Sequence, residues 1–413
     1  MPNYLDLFAG AGGLSEGFLR AGYTPIAHVE MNQDACNTLR TRSCYYYFVQ
    51  QNDLSLYYDY LSGRITREAL YSSVPQEVLS GVINKIMSVE TMPDLYSQIE
   101  SLMRRQKTES GEIIVGGPPG HAYSLVGRAV RGDSMRNDPR NFLYKIYIKT
   151  LEEYSPQMFV FENVPGLFTA NKGTYFAEMR RAFSEAGYEI DYRVLNARDF
   201  GVLQSRLRVI LIGWKNDSGK SYPAFLCQKS SYTVNDILCD LPPLQSGQTC
   251  NEYRAGSYSN YLKETGIRKQ SDILTWHCAR PNIDRDREIY RCVINAWNNE
   301  KKRIKYTDLP EELCTHKNRT AFLDRFKVVA GDLPASHTMM AHISKDGHYF
   351  IHPDIMQTRS ITVREAARIQ SFPDDFYFEG SRTAAFTQIG NAVPPLMAKG
   401  IADELKKQLE AKK

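Results

Sequence analysis

Short apolar runs, separated by glycine and polar segments, open the chain. Tyr4–Phe8 has the length and hydrophobicity of a buried parallel strand, and Ala9–Gly13 interrupts it with three glycines. Leu14–Ala21 then places its apolar residues at helical spacing. Pro25–Val29 is a second apolar strand, and together these runs predict a βαβ unit.

Similar runs recur along the chain. Three predict further buried strands: Ile113–Val115, Gln157–Phe161 and Val209–Ile212. Two predict helices: Ser360–Ser371 and Pro394–Leu409. Strands that alternate with helices predict an α/β fold with a doubly wound, mostly parallel sheet of Rossmann-like type.

The pattern also predicts the domain organisation. Residues 1–214 form a first domain, in which the tyrosine-rich and then mixed helical stretch 44–111 is a helical insertion. Periodicity weakens after Trp214, so residues 215–335 predict a smaller second domain. Residues 336–413 return to the first domain.

Composition narrows the class of protein. The chain has 413 residues, of which 42% are hydrophobic and 24% charged, as in ordinary soluble proteins. No run predicts a membrane span or a signal peptide, so a cytoplasmic location is expected. The eight cysteines form no CxxC pair, so neither a metal site nor a thioredoxin-like motif is expected.

Charge is informative through its distribution. The net charge of +4 is mild, but cations cluster after residue 120. They are Arg128, Arg131, Arg136, Arg140, Lys145 and Lys149. Clustered cations are suitable partners for phosphates, although a solvated surface explains any one of them equally well.

The glycine turn after the first strand predicts a cofactor site. Such a turn lets a ligand approach the backbone and directs helix N–H groups at it. Glu30 ends the next strand, where an acidic side chain can accept hydrogen bonds from ribose hydroxyls. These features predict an adenosine-containing cofactor and leave NAD and S-adenosylmethionine both open.

Six segments resemble the motifs of DNA (cytosine-5) methyltransferases of the bacterial restriction–modification type, in the order of that family. They are DLFAGAGGLS (6–15), EIIVGGPPGHAYS (112–124), FENVPG (161–166), QSRLR (204–208), RSITVREAARIQSFP (359–373) and QIGNAVPP (388–395). The resemblance covers residues 3–409 apart from the insertion and the second domain. It implies a Rossmann-like methyltransferase with a target-recognition domain at 215–335.

The resemblance implies S-adenosylmethionine as cofactor, S-adenosylhomocysteine as product and no metal. The cofactor-binding residues it implies are Phe8, Gly10, Gly12, Glu30, Met31, Pro118, Asn391 and Val393. The residue that would contact the adenine amino group is obscured by the insertion, where Ser88 is a candidate.

Methyl transfer to cytosine C5 needs a nucleophile that adds to C6 and turns C5 into an enamine-like carbon. By resemblance, Glu162 supports that addition at N3, Arg208 lies at O2, and Arg206 is mainly structural. The family's nucleophile is a cysteine after the paired prolines, and this chain has Gly120 there. We therefore expect little or no methylation.

The resemblance implies double-stranded DNA as partner, with the target cytosine flipped out of the duplex. Ser124, Arg128 and Arg131 are the DNA contacts expected of the loop after Gly120. Nine residues of the second domain are candidates for bases or phosphates: His277, Arg280, Arg285, Arg287, Arg291, Lys301, Arg303, Lys317 and Arg319. A paired restriction endonuclease, a monomeric state and a bacterial, nucleoid-associated location are further expectations.

Three alternatives stay open at this level. Gly120 is either a deliberate Cys→Gly change, which the intact remaining motifs favour, or the mark of a natural pseudoenzyme that binds specific DNA sequences. An NAD-dependent oxidoreductase would need only the glycine turn and Glu30, and it leaves the other motifs unexplained. RNA is a substrate that the fold also permits.

Overall fold

The computed structural model describes residues 1–108, 111–119, 143–228 and 230–411. Its centre is a seven-stranded sheet of order β3-β2-β1-β4-β5-β7-β6. The strands are β1 (Asn3–Leu7), β2 (Thr24–Glu30), β3 (Val82–Asn84), β4 (Ile113–Gly116), β5 (Met158–Asn163), β6 (Tyr188–Asn196) and β7 (Leu207–Lys215). β7 runs opposite to the other six strands of this sheet, so the predicted mostly parallel α/β fold is confirmed.

The helices of the first half are α1 (Gly13–Arg20), α2 (Gln33–Gln50), α3 (Ser55–Leu61), α4 (Arg67–Ser72), α5 (Gln76–Ser80), α6 (Met92–Gln106), α7 (Leu143–Tyr154) and α8 (Thr174–Glu185). Those of the second half are α9 (Asn235–Leu238), α10 (Asn260–Glu264), α11 (Asp284–Glu300), α12 (Val363–Ile369), α13 (Arg382–Asn391) and α14 (Pro395–Glu410).

Helices cover both faces of the sheet. On one face, apolar residues of α6, α7 and α8, such as Leu95, Tyr147 and Phe183, pack against Ile114 and Phe159 of the central strands. On the other face, α1 and α14 pack together over the alternate strand residues. Because β-strand side chains alternate between faces, the apolar strand runs found in the sequence supply both cores.

Residues 44–111 are more than a helical insertion. They contain β3, which pairs with β2 in the sheet, and α6, whose apolar face belongs to the central core. The remaining helices α3, α4 and α5 pack against α2 in a separate cluster, to which α3 and α4 contribute tyrosines and α5 contributes Val78 and Leu79.

The second half has two apolar cores. One joins residues of the predicted second domain, such as Val234 and Leu262, to Ile361 and Phe372 of the returning segment. A smaller core surrounds α11 and includes Tyr290, Trp297 and Val328. The boundary predicted at residue 335 therefore crosses a shared core, and the functional division of domains stays a prediction.

Candidate active site

The turn after β1 is built from left-handed backbone. Phe8, Gly10 and Gly12 have φ angles of 56°, 55° and 83°, in the region that favours glycine. Ala9 N donates to Val29 O at 3.0 Å, which holds the turn against the end of β2. The turn therefore lies at the carboxyl edge of the sheet, where open α/β sheets bind ligands.

Glu30 fastens this turn from the neighbouring strand. Its Oε2 accepts the Gly10 N–H at 2.8 Å, and its Oε1 accepts the N–H groups of Met31 and Asn32 at 2.9 and 2.8 Å. A carboxylate offers about four lone-pair positions, so Glu30 retains capacity for a ligand hydroxyl.

The surroundings of Gly10 fit an adenosine-containing cofactor. A Cβ placed on Gly10 would meet no atom within 4 Å, so the backbone here faces open space. Met31 is 62% exposed and Ile86 is 58% exposed beyond the ends of β2 and β3. These features are complementary to adenosine without phosphates. The open backbone turn can donate N–H groups to acceptor atoms of the ligand, the acidic side chain can accept from ribose hydroxyls, and the two exposed apolar side chains can pack against the adenine ring.

Asn84 is a residue that the sequence reasoning missed. Its Nδ2 donates to the carbonyls of Glu30 and Met31 at 3.2 and 3.0 Å, so it ties the end of β3 to the cofactor edge. The sequence signal that could have identified Asn84 is a polar residue directly after the apolar pair Val82 and Ile83, as expected at the end of a buried strand. Ser88 lies further on, where its N–H donates to Thr91 Oγ1 at 3.0 Å ahead of α6.

The segment between α13 and α14 returns to the glycine turn. A Cβ on Gly13 would collide with the Val393 carbonyl and touch the Ala392 methyl, so glycine permits this close approach. Val393 is buried and Asn391 is exposed. The structure thus brings the residues predicted at both ends of the chain to one edge of the sheet.

Glu162 and Arg208 form an ion pair at the same edge. Glu162 lies near the end of β5, and Arg208 lies near the start of the antiparallel β7, so the two strands present both side chains together. Arg208 Nε donates to Glu162 Oε1 at 2.8 Å, and both side chains are nearly buried.

Burial shifts both groups of this pair. Burial raises the pKa of the Glu162 carboxyl above its ordinary value, and the charges of Arg208 and Arg206 oppose the shift only in part. Burial likewise lowers the pKa of Arg208, with Glu162 opposing it. Glu162 is therefore easier to protonate than an exposed glutamate.

Two residues fix the segment that leads to position 120. A Cβ on Gly117 would collide with the Glu162 carboxylate, so glycine lets the chain pass directly beside it. Asn163 Nδ2 donates to the Pro118 carbonyl at 3.3 Å, and its Oδ1 accepts the Val164 N–H at 2.8 Å. Asn163 is adjacent to Glu162 in the same motif, but its role as a hydrogen-bond donor to Pro118 was not predicted from the sequence.

Arg206 is oriented away from the pair. It is fully buried and donates to the carbonyls of Met339, Gly390 and Ala392, the last two at 2.8 and 3.0 Å. These bonds hold the returning segment against β7, which supports the structural role expected for Arg206.

Several predicted residues fall elsewhere. Gly120, Ser124, Arg128 and Arg131 lie outside the described residues. His277 was wrong as a DNA candidate, because it is fully buried and hydrogen-bonded to Pro242 O at 2.8 Å and Thr362 Oγ1 at 3.2 Å.

Two features are absent from the described ranges: a cluster of metal-binding side chains and a membrane-spanning helix. Three or more His, Cys, Asp or Glu side chains nowhere cluster there in an arrangement that could hold a metal ion. The helices of the same ranges include none with the length and hydrophobicity needed to cross a membrane.

Comparison with known families identifies the class. Residues 3–75 and 91–407 match the family described as C-5 cytosine-specific DNA methylase, so this chain belongs to that family. The predicted family is confirmed. Since the family uses S-adenosylmethionine, membership selects that cofactor over NAD.

Individual relatives agree with this assignment. The chain is 42% identical to the type II methyltransferase M.Bpa9945I of Bacillus paralicheniformis, over 97% of this chain and 98% of that protein. It is 30% identical to the type II methyltransferase M1.HphI of Haemophilus parahaemolyticus, over 98% of this chain and 86% of that protein. A solved structure of a prophage-encoded E. coli protein, described as a DNA modification methyltransferase, superposes with a TM-score of 0.65 at 21% identity over 100% of both chains. This last similarity concerns the fold alone.

Proposed function

We propose that this chain is a DNA (cytosine-5) methyltransferase that binds S-adenosylmethionine and a flipped cytosine of a specific duplex site but transfers little or no methyl group. The observation that carries the proposal is the Glu162–Arg208 pair beside the Gly117–Pro118 backbone. Cytosine N3 and O2 are adjacent on one edge of the ring. A protonatable carboxyl next to a guanidinium is complementary to that edge.

The two side chains have distinct roles in this proposal. Burial favours the protonated form of Glu162, which can donate a hydrogen bond to N3 and withdraw electrons from C6. Arg208 stabilises the negative charge that develops at O2. For the cytosine to enter, its edge takes the place of the direct contact between the two side chains.

The cofactor would be held by the glycine turn at Phe8, Gly10 and Gly12, by Glu30 and Met31, and by the segment containing Pro118, Asn391 and Val393. When bound, S-adenosylmethionine supplies an electrophilic methyl group. Asn163 holds the Pro118 carbonyl and so positions the start of the catalytic loop.

Gly120 removes the covalent step. A glycine has no side chain that could add to C6, so C5 stays a weak nucleophile. Ser124 carries only an unactivated hydroxyl, and His121 is one residue along the chain from the nucleophile position. Neither is placed by its sequence position to replace a thiolate.

The origin of Gly120 has two explanations. We favour a deliberate Cys→Gly change, because the cofactor turn, Glu162 and Arg208 are all present in a coherent site. The second explanation is a natural pseudoenzyme that binds specific DNA sequences. The type II methyltransferases among its relatives support pairing with a restriction endonuclease as a further proposal. A monomeric state stays a proposal from the sequence.

Methyl transfer from labelled S-adenosylmethionine to mixed-sequence duplex DNA tests the proposal. We expect activity from Gly120→Cys and little or none from the parent chain. Glu162→Ala in the Gly120→Cys background is the matched control and should lose most of the restored activity, by about 10²–10⁴-fold. If the parent and Gly120→Cys are equally inactive while both bind duplex DNA, the pseudoenzyme replaces the favoured reading.

A further inference from the structure

Phe322 is an exposed aromatic residue on left-handed backbone. Its side chain is 65% exposed, and its φ angle is 57°. A bulky residue rarely adopts this conformation, because Cβ approaches the following carbonyl oxygen. Residues held in such sparsely populated conformations cluster at ligand-contacting sites, so Phe322 is a candidate for contact with another molecule.

The turn around Phe322 is held rigidly from within. We call residues 318–325 the Phe322 turn. Arg325 donates to the carbonyls of Phe322, Ala321 and Asn318 at 3.1 Å in each case. Asn318 Oδ1 in turn accepts the N–H groups of Thr320 and Ala321 at 3.0 and 2.9 Å. The backbone that carries the ring is therefore held in place, which lowers the entropy lost when the turn binds.

A chain of contacts connects the Phe322 turn to the candidate active site. Tyr349 Oη donates to Asp324 Oδ2 at 3.1 Å, and the Tyr349 carbonyl lies 2.6 Å from His337 Nε2. Thr338, the next residue, donates from Oγ1 to the Ser205 carbonyl at 2.7 Å. Ser205 begins the segment that carries Arg208, so the turn and the site belong to one continuous contact network.

The charge near Phe322 suits a polyanion. Between residues 315 and 327 the chain has four cations and one acid. The cations are Lys317, Arg319, Arg325 and Lys327, and the acid is Asp324. Arg325 donates only to carbonyls within the turn and keeps its charge, whereas Glu311, just before this stretch, pairs with Arg319 and offsets its charge.

We infer that the Phe322 turn is a DNA-contacting element of the recognition region and that the Phe322 ring packs against bases of the bound duplex. Apolar side chains of this kind insert at base steps and stack on exposed bases. The inference rests on the proposed function, since it takes duplex DNA as the partner. It assigns to Phe322 a contact that phosphate-binding cations cannot make.

The test uses the chain with Gly120 and a DNA probe that it selects itself. A duplex pool with a randomised centre is enriched by repeated capture on the parent chain, and dissociation constants are then measured at one salt concentration. Phe322→Ala should weaken binding at least about fivefold, the lower end for loss of one stacked base. Phe322→Trp should bind like the parent, and its added emission should change when DNA binds.

Two controls separate the ring from the fold. Leu226→Ala removes another side chain that is 87% exposed and should leave DNA affinity unchanged. Phe322→Gly relieves the left-handed backbone, so it should raise the melting temperature while weakening DNA binding like Phe322→Ala. S-adenosylhomocysteine affinity should be equal in all variants.

The outcomes distinguish the two proposals. If the parent retains duplexes but Phe322→Ala binds them equally well, the inference about Phe322 is overturned and the proposed function stands. If the parent enriches no duplex, the proposed function fails and the inference fails with it.

Discussion

Gly10 and Gly12 differ in what surrounds them, although both have left-handed backbone. Open space lies in front of Gly10, whereas a Cβ on Gly12 would lie 2.7 Å from Leu39 Cδ2. Glycine at position 10 therefore leaves room for the cofactor in the proposed site, whereas glycine at position 12 also permits close packing against α2. The sequence pattern marked both positions but could not separate these reasons.

Replacing Gly10 by alanine tests this difference. Gly10→Ala should cost about 1 kcal/mol of stability through its backbone conformation and should weaken S-adenosylhomocysteine binding through its new methyl group. Gly63 is the matched control, because it has a φ of 72° and a Cβ there would also meet no atom within 4 Å. Gly63→Ala should show the same stability loss by thermal unfolding with unchanged ligand affinity by calorimetry. Equal affinities for all three proteins would contradict the cofactor site.

Glu162 gives a prediction about pH. Its folded pKa is raised by burial above the unfolded value, so the carboxyl's stabilising contribution is present below the unfolded pKa and is lost as pH rises through the folded pKa. Glu162→Gln removes this titration. The stability of the variant relative to the parent should therefore increase as pH rises from about 4.3, the ordinary glutamate value, through the raised value.

Denaturant unfolding across this pH range measures the effect. Glu77→Gln, on an exposed face of α5, is the matched control for the same change of side chain. A relative stability of Glu162→Gln that falls with rising pH would show that Arg208 outweighs burial at Glu162.

At the level of elements, the strands differ in how clearly the sequence predicts them. β1, β4 and β5 are buried on both faces and read as continuous apolar runs, so they could be predicted. β3 has only three residues, and β6 is an edge strand with an irregular burial pattern, so neither has the signature of a buried strand. Both exist because a neighbouring strand pairs with them.

The same contrast applies to the site. Glu162, Arg208 and the glycine turn were found because each belongs to a recognisable motif at a strand end. Asn84 and Asn163 act through hydrogen bonds to backbone carbonyls that only the folded chain brings near. Such hydrogen-bond partners are brought together by tertiary structure, so no motif or residue spacing in the sequence predicts them.

Packing of α1 on α14 depends on a glycine. A Cβ on Gly17 would overlap the Ala398 methyl and the backbone of Lys399. Gly17→Ala should therefore destabilise the fold by about 1–3 kcal/mol, despite the better helix propensity of alanine. Gly81→Ala, where the nearest atom is 4.0 Å away, should change stability little. Thermal unfolding that finds the two variants equally stable would contradict the close approach of α1 and α14.

Across the whole molecule, a buried ionic network joins the predicted recognition domain to the returning segment. Arg368 is fully buried and donates to Asp374 at 2.9 and 2.6 Å and to Asp240 at 2.6 Å. Asp240 lies in the predicted recognition domain and Asp374 in the returning segment. The network and the shared apolar core both cross the boundary predicted at residue 335.

Removing Arg368 should therefore have a large effect. Arg368→Ala leaves two buried carboxylates without their main partner and should cost about 3–5 kcal/mol. Arg181→Ala removes an exposed, solvent-screened pair with Glu185 and should change stability little. Chemical denaturation of both variants checks this, and similar midpoints would show that the buried network is dispensable.

The central claim is that the chain holds a cytosine in a complete site from which only the nucleophile is missing. Covalent capture on duplex DNA containing 5-fluorocytosine tests it most directly. Release of the thiolate from C6 after methylation normally requires loss of the proton at C5, and fluorine in that position cannot leave in its place, so the covalent adduct persists. With S-adenosylmethionine present, Gly120→Cys should give a protein–DNA complex that survives denaturing electrophoresis, and the parent chain should give none. A covalent complex formed by the parent, or its absence from Gly120→Cys under conditions in which both bind the DNA, would contradict the account.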